Sequence, residues 1–286
     1  MPFAASLSQH PDARVAVAEA AGDVVDHIGG DVDLAWIFAT AAHAAVLPDV
    51  AEVVHRTLAP RTLVGATAAA VVGGARGVEV QPGLSVFAAR LPARRAPCAF
   101  GSAGTPATRP AGAHSTDRAR CPRHRRRARR ASSARNGSPG ASAADASRGV
   151  LGADRRTGAV AVGDVVPVGA TVQFQVRDAR TAGEDLVTLL RGHTTSARAL
   201  GQGEPAAALV FTCNGRGSFM FRDAHHDAAI VAETLGGVPA AGMFCAGELG
   251  AIGARNALHG FTDSVAVFRE PTCPGRTVDV THERSA

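Results

Sequence analysis

The stretch AAALVFTCNGRGSFMFRDAHHDAAIVAETLGGVPAAGMFCAGELGAIG, residues 206–253, decides how the chain is read. Its first eight residues form an apolar run short enough for a buried strand. The run breaks at Cys213-Asn214-Gly215-Arg216-Gly217. His226 to Leu235 then carries a helical pattern, which Gly236 closes. The segment VPAAGMFC is a second strand, and it runs into the glycine-rich turn AGELGAIG. Strand, helix and strand with a glycine turn make the unit of an α/β fold.

The same texture extends outward. Downstream, DSVAVF is a last strand. Upstream, the chain from about Val150 places Val160, Val162, Val172, Phe174 and Val176 on strands separated by Gly-Asp and Gly-Ala turns, and a helix is expected around Glu184 to Arg191. In the N-terminal part a helix is expected from about Asp12 to Ile28, with Gly29-Gly30 as its stop, followed by the strand DLAWIFAT and a second helix over Asp49 to Leu58. TLVGATAAAVVGG reads as a strand entering a small-residue turn, and LSVFAARL as another strand, bounded by Pro82-Gly83 and Pro92. The expectation is an α/β fold of two similar subdomains with mixed sheets. An internal duplication is one account of the likeness, and chance resemblance of short α/β units is the other.

Composition separates these parts from the middle. The chain has 286 residues, 46% of them hydrophobic, enough for one large core or two modest ones. It contains no lysine, so its basic residues are all arginine. The net charge of +5 is local in origin: between Arg94 and Arg148 many arginines face only Asp117 and Asp145, and the remainder of the chain is acidic. Residues 93–148 are rich in Arg, Pro, Ser and Ala, with no large apolar residue from Gly101 to Gly149. Such a segment cannot build a core and offers no aromatic platform for bases, so it reads as a disordered, solvated linker with no specific nucleic-acid partner. Out-of-frame translation of GC-rich DNA is a second reading of it. The expected organisation is therefore an α/β part over 1–92, the basic segment over 93–148, an α/β domain over 149–272 and a tail over 273–286. Five scattered cysteines without a CxxC pair argue against a disulfide framework and a zinc knuckle. No basic leader with an apolar region and no stretch of about 18 apolar residues is present, which predicts a cytoplasmic protein with no membrane partner.

Two blocks carry a family resemblance. FTCNGRGSFMF, HHDAAIVAETLGGVPAAGMFCAGELGAIG and NALHGFTDSVAVF resemble the C-terminal half of the FIST family, a proposed small-ligand sensory module of signal-transduction proteins. The segments VDLAWIFATAAHAAVLPDV and TLVGATAAAVVGGARGVEVQPGLSVFAARL resemble its N-terminal half. The basic middle segment departs from the family pattern. The resemblance implies a bacterial ligand-sensing role, with amino acids or small carboxylates as ligands and a signalling partner acting in trans. It implies neither catalysis nor a cofactor.

The residues agree with that role. A strand ending in a glycine-rich loop exposes N–H groups that can converge on an anion, and Arg216 can pair with a carboxylate through two hydrogen bonds. Glu248 sits among small and apolar residues, where a carboxylate is costly to bury without a partner, and it could meet a ligand's ammonium group. The candidate ligand contacts are Asn214, Gly215, Arg216, Gly217, Gly247, Glu248 and His259. Against them stand plainer roles: Arg216 as a solvated turn arginine, Glu248 as a partner for an arginine or a cap, His259 as a packing histidine, and Asn214 and the glycines as turn formers. An enzyme is the alternative class, with Cys213 as nucleophile and His259 as base. A metal site of Cys213, Cys245 and His259 lacks the spacing metals need, and none is expected.

Overall fold

The computed structural model describes residues 2–91, 150–163, 165–170, 172, 174, 178–223, 225–252 and 255–270. The basic segment and the tail lie outside these residues.

The N-terminal part opens with β1 (Phe3–Ser8), α1 (Ala13–Ile28) and β2 (Leu34–Thr40), then a 3-10 turn and α2 (Leu47–Leu58). It continues through β3 (Thr62–Ala68), β4 (Ala70–Gly73), β5 (Arg76–Glu79) and β6 (Leu84–Ala89). The C-terminal part contains β7 (Val150–Ala153), β8 (Val160–Val162), α3 (Ala179–Ala199), β9 (Pro205–Cys213) and α4 (His226–Leu235). It ends with β10 (Ala240–Cys245), β11 (Glu248–Ile252), β12 (Arg255–His259) and β13 (Asp263–Arg269). The fold is α/β with mixed sheets, as the sequence led us to expect.

Helix ends follow local chemistry. Asp12 caps α1 by accepting hydrogen bonds from the amides of Arg14 and Val15, and Gly29 ends it in the left-handed region at φ 57°. Asp178 caps α3 through the amide of Thr181. This helix is longer than the segment expected around Glu184 to Arg191, because the Asp178 cap sets its start at Ala179 and the helix runs on to Ala199.

Two sheets stack between two helical layers. The first has strand order β1-β6-β2-β3, with β2 parallel to β3 and the other pairs antiparallel. The second has order β13-β9-β10-β4-β5, with β9 and β10 parallel. The period of two assigns each face. On β2, Ala35, Ile37 and Ala39 face Val17, Ala20 and Val24 of α1 and Val50 and Val54 of α2, while Phe38 points the other way. Phe38, Phe87 and Phe3 meet Val71, Leu209 and Ala241 of the second sheet to form the inter-sheet core. The outer face of that sheet, with Val72, Ala208, Val210 and Phe244, is covered by Leu186 and Leu190 of α3 and by Val231 and Leu235 of α4.

The sheets are joined by an exchange of strands. β3 ends at Ala68 and β4 begins at Ala70, so the chain crosses from the first sheet into the second, where β4 pairs with β10. In the C-terminal part β10 likewise runs on into β11 after two residues, but β11 and β12 form a hairpin paired with itself. Both halves run helix, strand, helix, strand, hairpin, strand, with the last strand antiparallel to the first. This common connectivity is no proof of duplication, since short α/β units arrive at it independently.

Several elements differ from expectation. β1 and the β4–β5 and β11–β12 hairpins were not anticipated: small residues and glycines that look like turns in sequence are paired strands here. Val172 and Phe174 lie outside any strand, and Val176 lies outside the described residues.

Candidate functional site

The CNGRG loop closes over the ends of three strands. Asn214 donates its amide to the carbonyl of Cys245 on β10 at 2.8 Å, and Cys213 donates to the carbonyl of Thr262, beside β13, at 3.0 Å. The loop is not a hairpin turn. It leads from β9 through residues 214–220 toward α4. Gly215 is needed because a Cβ there would run into the ring of Phe261.

Arg216 turns inward and is 5% exposed, so it is not a solvated turn arginine. Its guanidinium makes two hydrogen bonds to Asp227 on the first turn of α4, Nε to Oδ2 at 2.8 Å and Nη2 to Oδ1 at 2.9 Å. Asp263, the first residue of β13, brings its Oδ2 to 2.7 Å from the same Nε. The arginine does bind carboxylates by its planar fork, but they are the chain's own. Phe221 supplies a platform: His226 stacks on it at 3.6 Å between centroids, and Arg216 lies 5.3 Å from its centre.

A third carboxylate is buried near Asp263. Glu248 is 2% exposed; its Oε2 accepts hydrogen bonds from the Thr262 hydroxyl at 3.0 Å and the Thr262 amide at 3.3 Å, while its Oε1 has no partner. Asp263 Oδ1 is likewise buried without a partner. Two buried carboxylates, Asp227 and Asp263, therefore share a single guanidinium. The imbalance appears in their ionisation. Burial opposes the charge of Asp227, but the Arg216 hydrogen bonds outweigh it and hold that carboxyl below its ordinary range. Burial and the neighbouring charge of Asp227 push Asp263 up to about 7, against which Arg216 is insufficient.

The cysteines sit in the same region. Cys213 and Cys245 are register neighbours on β9 and β10. Burial, with the charges of Glu248 and Cys213, pushes the Cys245 thiol up to about 11, away from the thiolate a nucleophile needs. Cys213 itself is 5% exposed. His259 is the backbone partner of Glu248 across the β11–β12 hairpin, but its side chain lies outside the described residues. Among the described residues no group of three His, Cys, Asp or Glu side chains is arranged to hold a metal ion.

Of the expected contacts, Arg216 and Glu248 are each buried, Gly215 and Gly217 shape the loop, Gly247 leads into β11, and Asn214 is exposed. The residues not anticipated are Asp227, Asp263, Thr212 and Thr262. Asp227 stands in the first turn of α4, and its carboxylate meets Arg216 and, at 3.1 Å, the Thr212 hydroxyl. The space lined by Thr212, Phe221, His226 and Asp227 is too tight for a water molecule. An open groove of about 470 Å³ lies on the other side of His226, between Arg180, Gly183 and Glu184 of α3 and Ile230 of α4.

Residues 125–251 match the family model of the FIST C domain. FIST C domains are sensory domains of signal transduction. The matched span begins inside the Arg-rich segment and includes the CNGRG loop, α4, β10 and Glu248. An uncharacterized protein of Mycobacterium tuberculosis strain H37Rv is 54% identical over 121 residues, which is 42% of this chain and 30% of that protein. An uncharacterized protein of Mycobacterium bovis is 56% identical over 121 residues, with the same coverage. The alignments thus span about 30% of the length of these curated relatives. Among the described residues no helix is long and apolar enough to cross a membrane.

Proposed function

We propose that this chain is a cytoplasmic sensory protein that binds an amino-acid-like ligand at the Glu248 cluster and passes its state to a signalling protein in trans. The observation that carries the reading is the Glu248 carboxylate, 2% exposed with one oxygen lacking a donor. A buried carboxylate is costly without a cation or donor, and the nearby guanidinium is already engaged by Asp227 and Asp263. A ligand ammonium group supplies what Glu248 lacks. Arg216 in this reading positions the acidic residues and does not contact the ligand's carboxylate.

Access comes from the β11–β12 hairpin, which begins with Glu248 and pairs only with itself among the described residues. Isolated two-stranded hairpins are marginal in water, and Leu249 and Leu258 are exposed on this one. Its movement opens the cluster, links occupancy to a change of shape and so gives a partner something to read.

The test is a thermal-shift screen of the purified chain against amino acids and matched amines, because a ligand that binds only the folded state raises the melting temperature. A saturable shift with an amino acid is expected, with loss of that shift in a folded Glu248→Gln variant. If Glu248→Gln responds as the wild type does, the cluster is not the ligand site.

A further inference from the structure

The glycine loop already holds a carboxylate that the buried cluster does not account for. Glu79, the last residue of β5, reaches from the N-terminal part into the loop. Its Oε1 accepts the Ser218 amide at 2.8 Å and its Oε2 accepts the Ser218 hydroxyl at 2.8 Å. Gly217 lies directly beneath, and a Cβ there would collide with all three atoms of the carboxyl group. A loop that offers one amide, one hydroxyl and a missing side chain to both oxygens of one carboxylate has the form of a carboxylate cradle.

Glu79 is not held there by ease of backbone. The next residue, Val80, has φ +63° and is 98% exposed, and Gln81 donates its amide to the Glu79 carbonyl at 2.6 Å across it. This is a three-residue turn of the strained kind, with a β-branched residue at its centre. Neighbouring contacts impose the turn: β4 is paired to β10, and His225 Nδ1 lies within hydrogen-bonding distance of both the carbonyl of Gly77, at 2.9 Å, and its amide, at 3.2 Å.

We propose that Gly217 and Ser218 form a binding site for small monocarboxylates, which Glu79 occupies as an internal competitor until a free carboxylate replaces it. The inference rests on the sensory reading above, to which it adds a carboxylate-driven release step. When a ligand carboxylate takes the two Ser218 donors, Glu79 moves to solvent and Val80 leaves its strained turn. The β4–β5 hairpin, which ties the two halves of the chain together, then loses one of its attachments.

Acetate tests this without involving Glu248, because it carries no ammonium group. The full chain and its Glu79→Ala variant are melted across an acetate series, with chloride at equal ionic strength as control. The variant is expected to melt several degrees below wild type and to regain that loss saturably with acetate, at concentrations roughly tenfold lower than wild type requires. Adding Gly217→Ala to the variant should abolish the acetate response, and Glu79→Gln, which keeps the length of the side chain, should show the same response more weakly. Equal acetate responses in wild type and Glu79→Ala, or a response that survives Gly217→Ala, would overturn the proposal. Because the amino-acid shift and its dependence on Glu248 are measured separately, failure of the cradle and failure of the sensory reading are distinguishable.

Discussion

Arg216 and Asp227 meet through two hydrogen bonds, at 2.8 and 2.9 Å, with both side chains 6% exposed. Asp227 is thereby the residue that fastens α4 to the end of β9, since it also accepts the Thr212 hydroxyl. Removing one member of such a pair leaves the other charge buried and costs about 3–5 kcal/mol, far more than the pair itself contributes. Arg216→Ala should therefore destabilise strongly, because two aspartates lose their counter-charge together. Urea unfolding should show a loss within that range, and a loss below about 1 kcal/mol would mean that the cluster rearranges or takes in water.

Asp263 gives the protein a pH response opposite to that of an ordinary surface carboxylate. Its folded pKa of about 7 lies above the ordinary value of 3.8, so between those limits the folded state holds a proton that the unfolded state has lost. Its contribution to stability is full below the unfolded value and is lost as pH rises through about 7. Asp227, whose pKa is lowered, acts with the opposite sign at lower pH, and His43, whose pKa burial lowers from 6.5, acts with the opposite sign within this window, so the Asp263 contribution is read as the difference between wild type and variant. Between pH 5.5 and 7.5 the urea midpoint of the wild type should shift downward relative to that of Asp263→Asn. Equal slopes in the two proteins would show that Asp263 ionises normally.

How much of this was legible in the sequence depends on the kind of signal. β2 and α1 were clear, because Ile37 and Phe38 alternate between two cores and Asp12 and Gly29 mark the helix ends. Glu248 was legible as a carboxylate in apolar company. Arg216 was legible as a carboxylate binder but not as a buried one, since its partners come from α4 and β13, 11 residues and about four times as far along the chain. No local pattern specifies such a meeting. The β4–β5 and β11–β12 hairpins were missed because glycine and alanine mimic turn chemistry where they in fact permit close strand approach. Glu79 had no sequence signal at all: its role exists only because β5 joins the second sheet.

Gly242 shows that close approach most directly. It lies on β10 between β9 and β4, and a Cβ there would collide with the backbone carbonyl of Val210 on the parallel neighbour. Backbone cannot yield as a flexible side chain can. Gly242→Ala should cost about 1–3 kcal/mol or more and reduce soluble yield, whereas Gly22→Ala on α1, where nothing lies within 4 Å, should be neutral or stabilising. Soluble expression and melting temperature of the two variants check this, and similar behaviour of both would mean that β10 sits differently against β9.

Val80 allows the opposite experiment, a substitution that stabilises. Glycine adopts positive φ without the clash that a β-branched residue suffers, and the Val80 side chain is 98% exposed, so its removal sacrifices no packing. Relief of strain of about 1–3 kcal/mol is opposed by the extra unfolded-state freedom of glycine, about 0.5–1 kcal/mol. Val80→Gly should thus raise the melting temperature by roughly 2–4 °C per kcal/mol of net gain. Val80→Ala, which keeps a Cβ, should gain less. If Val80→Gly melts at or below the wild-type temperature, the turn after Glu79 is not strained, and nothing in the backbone favours release of that side chain from Ser218.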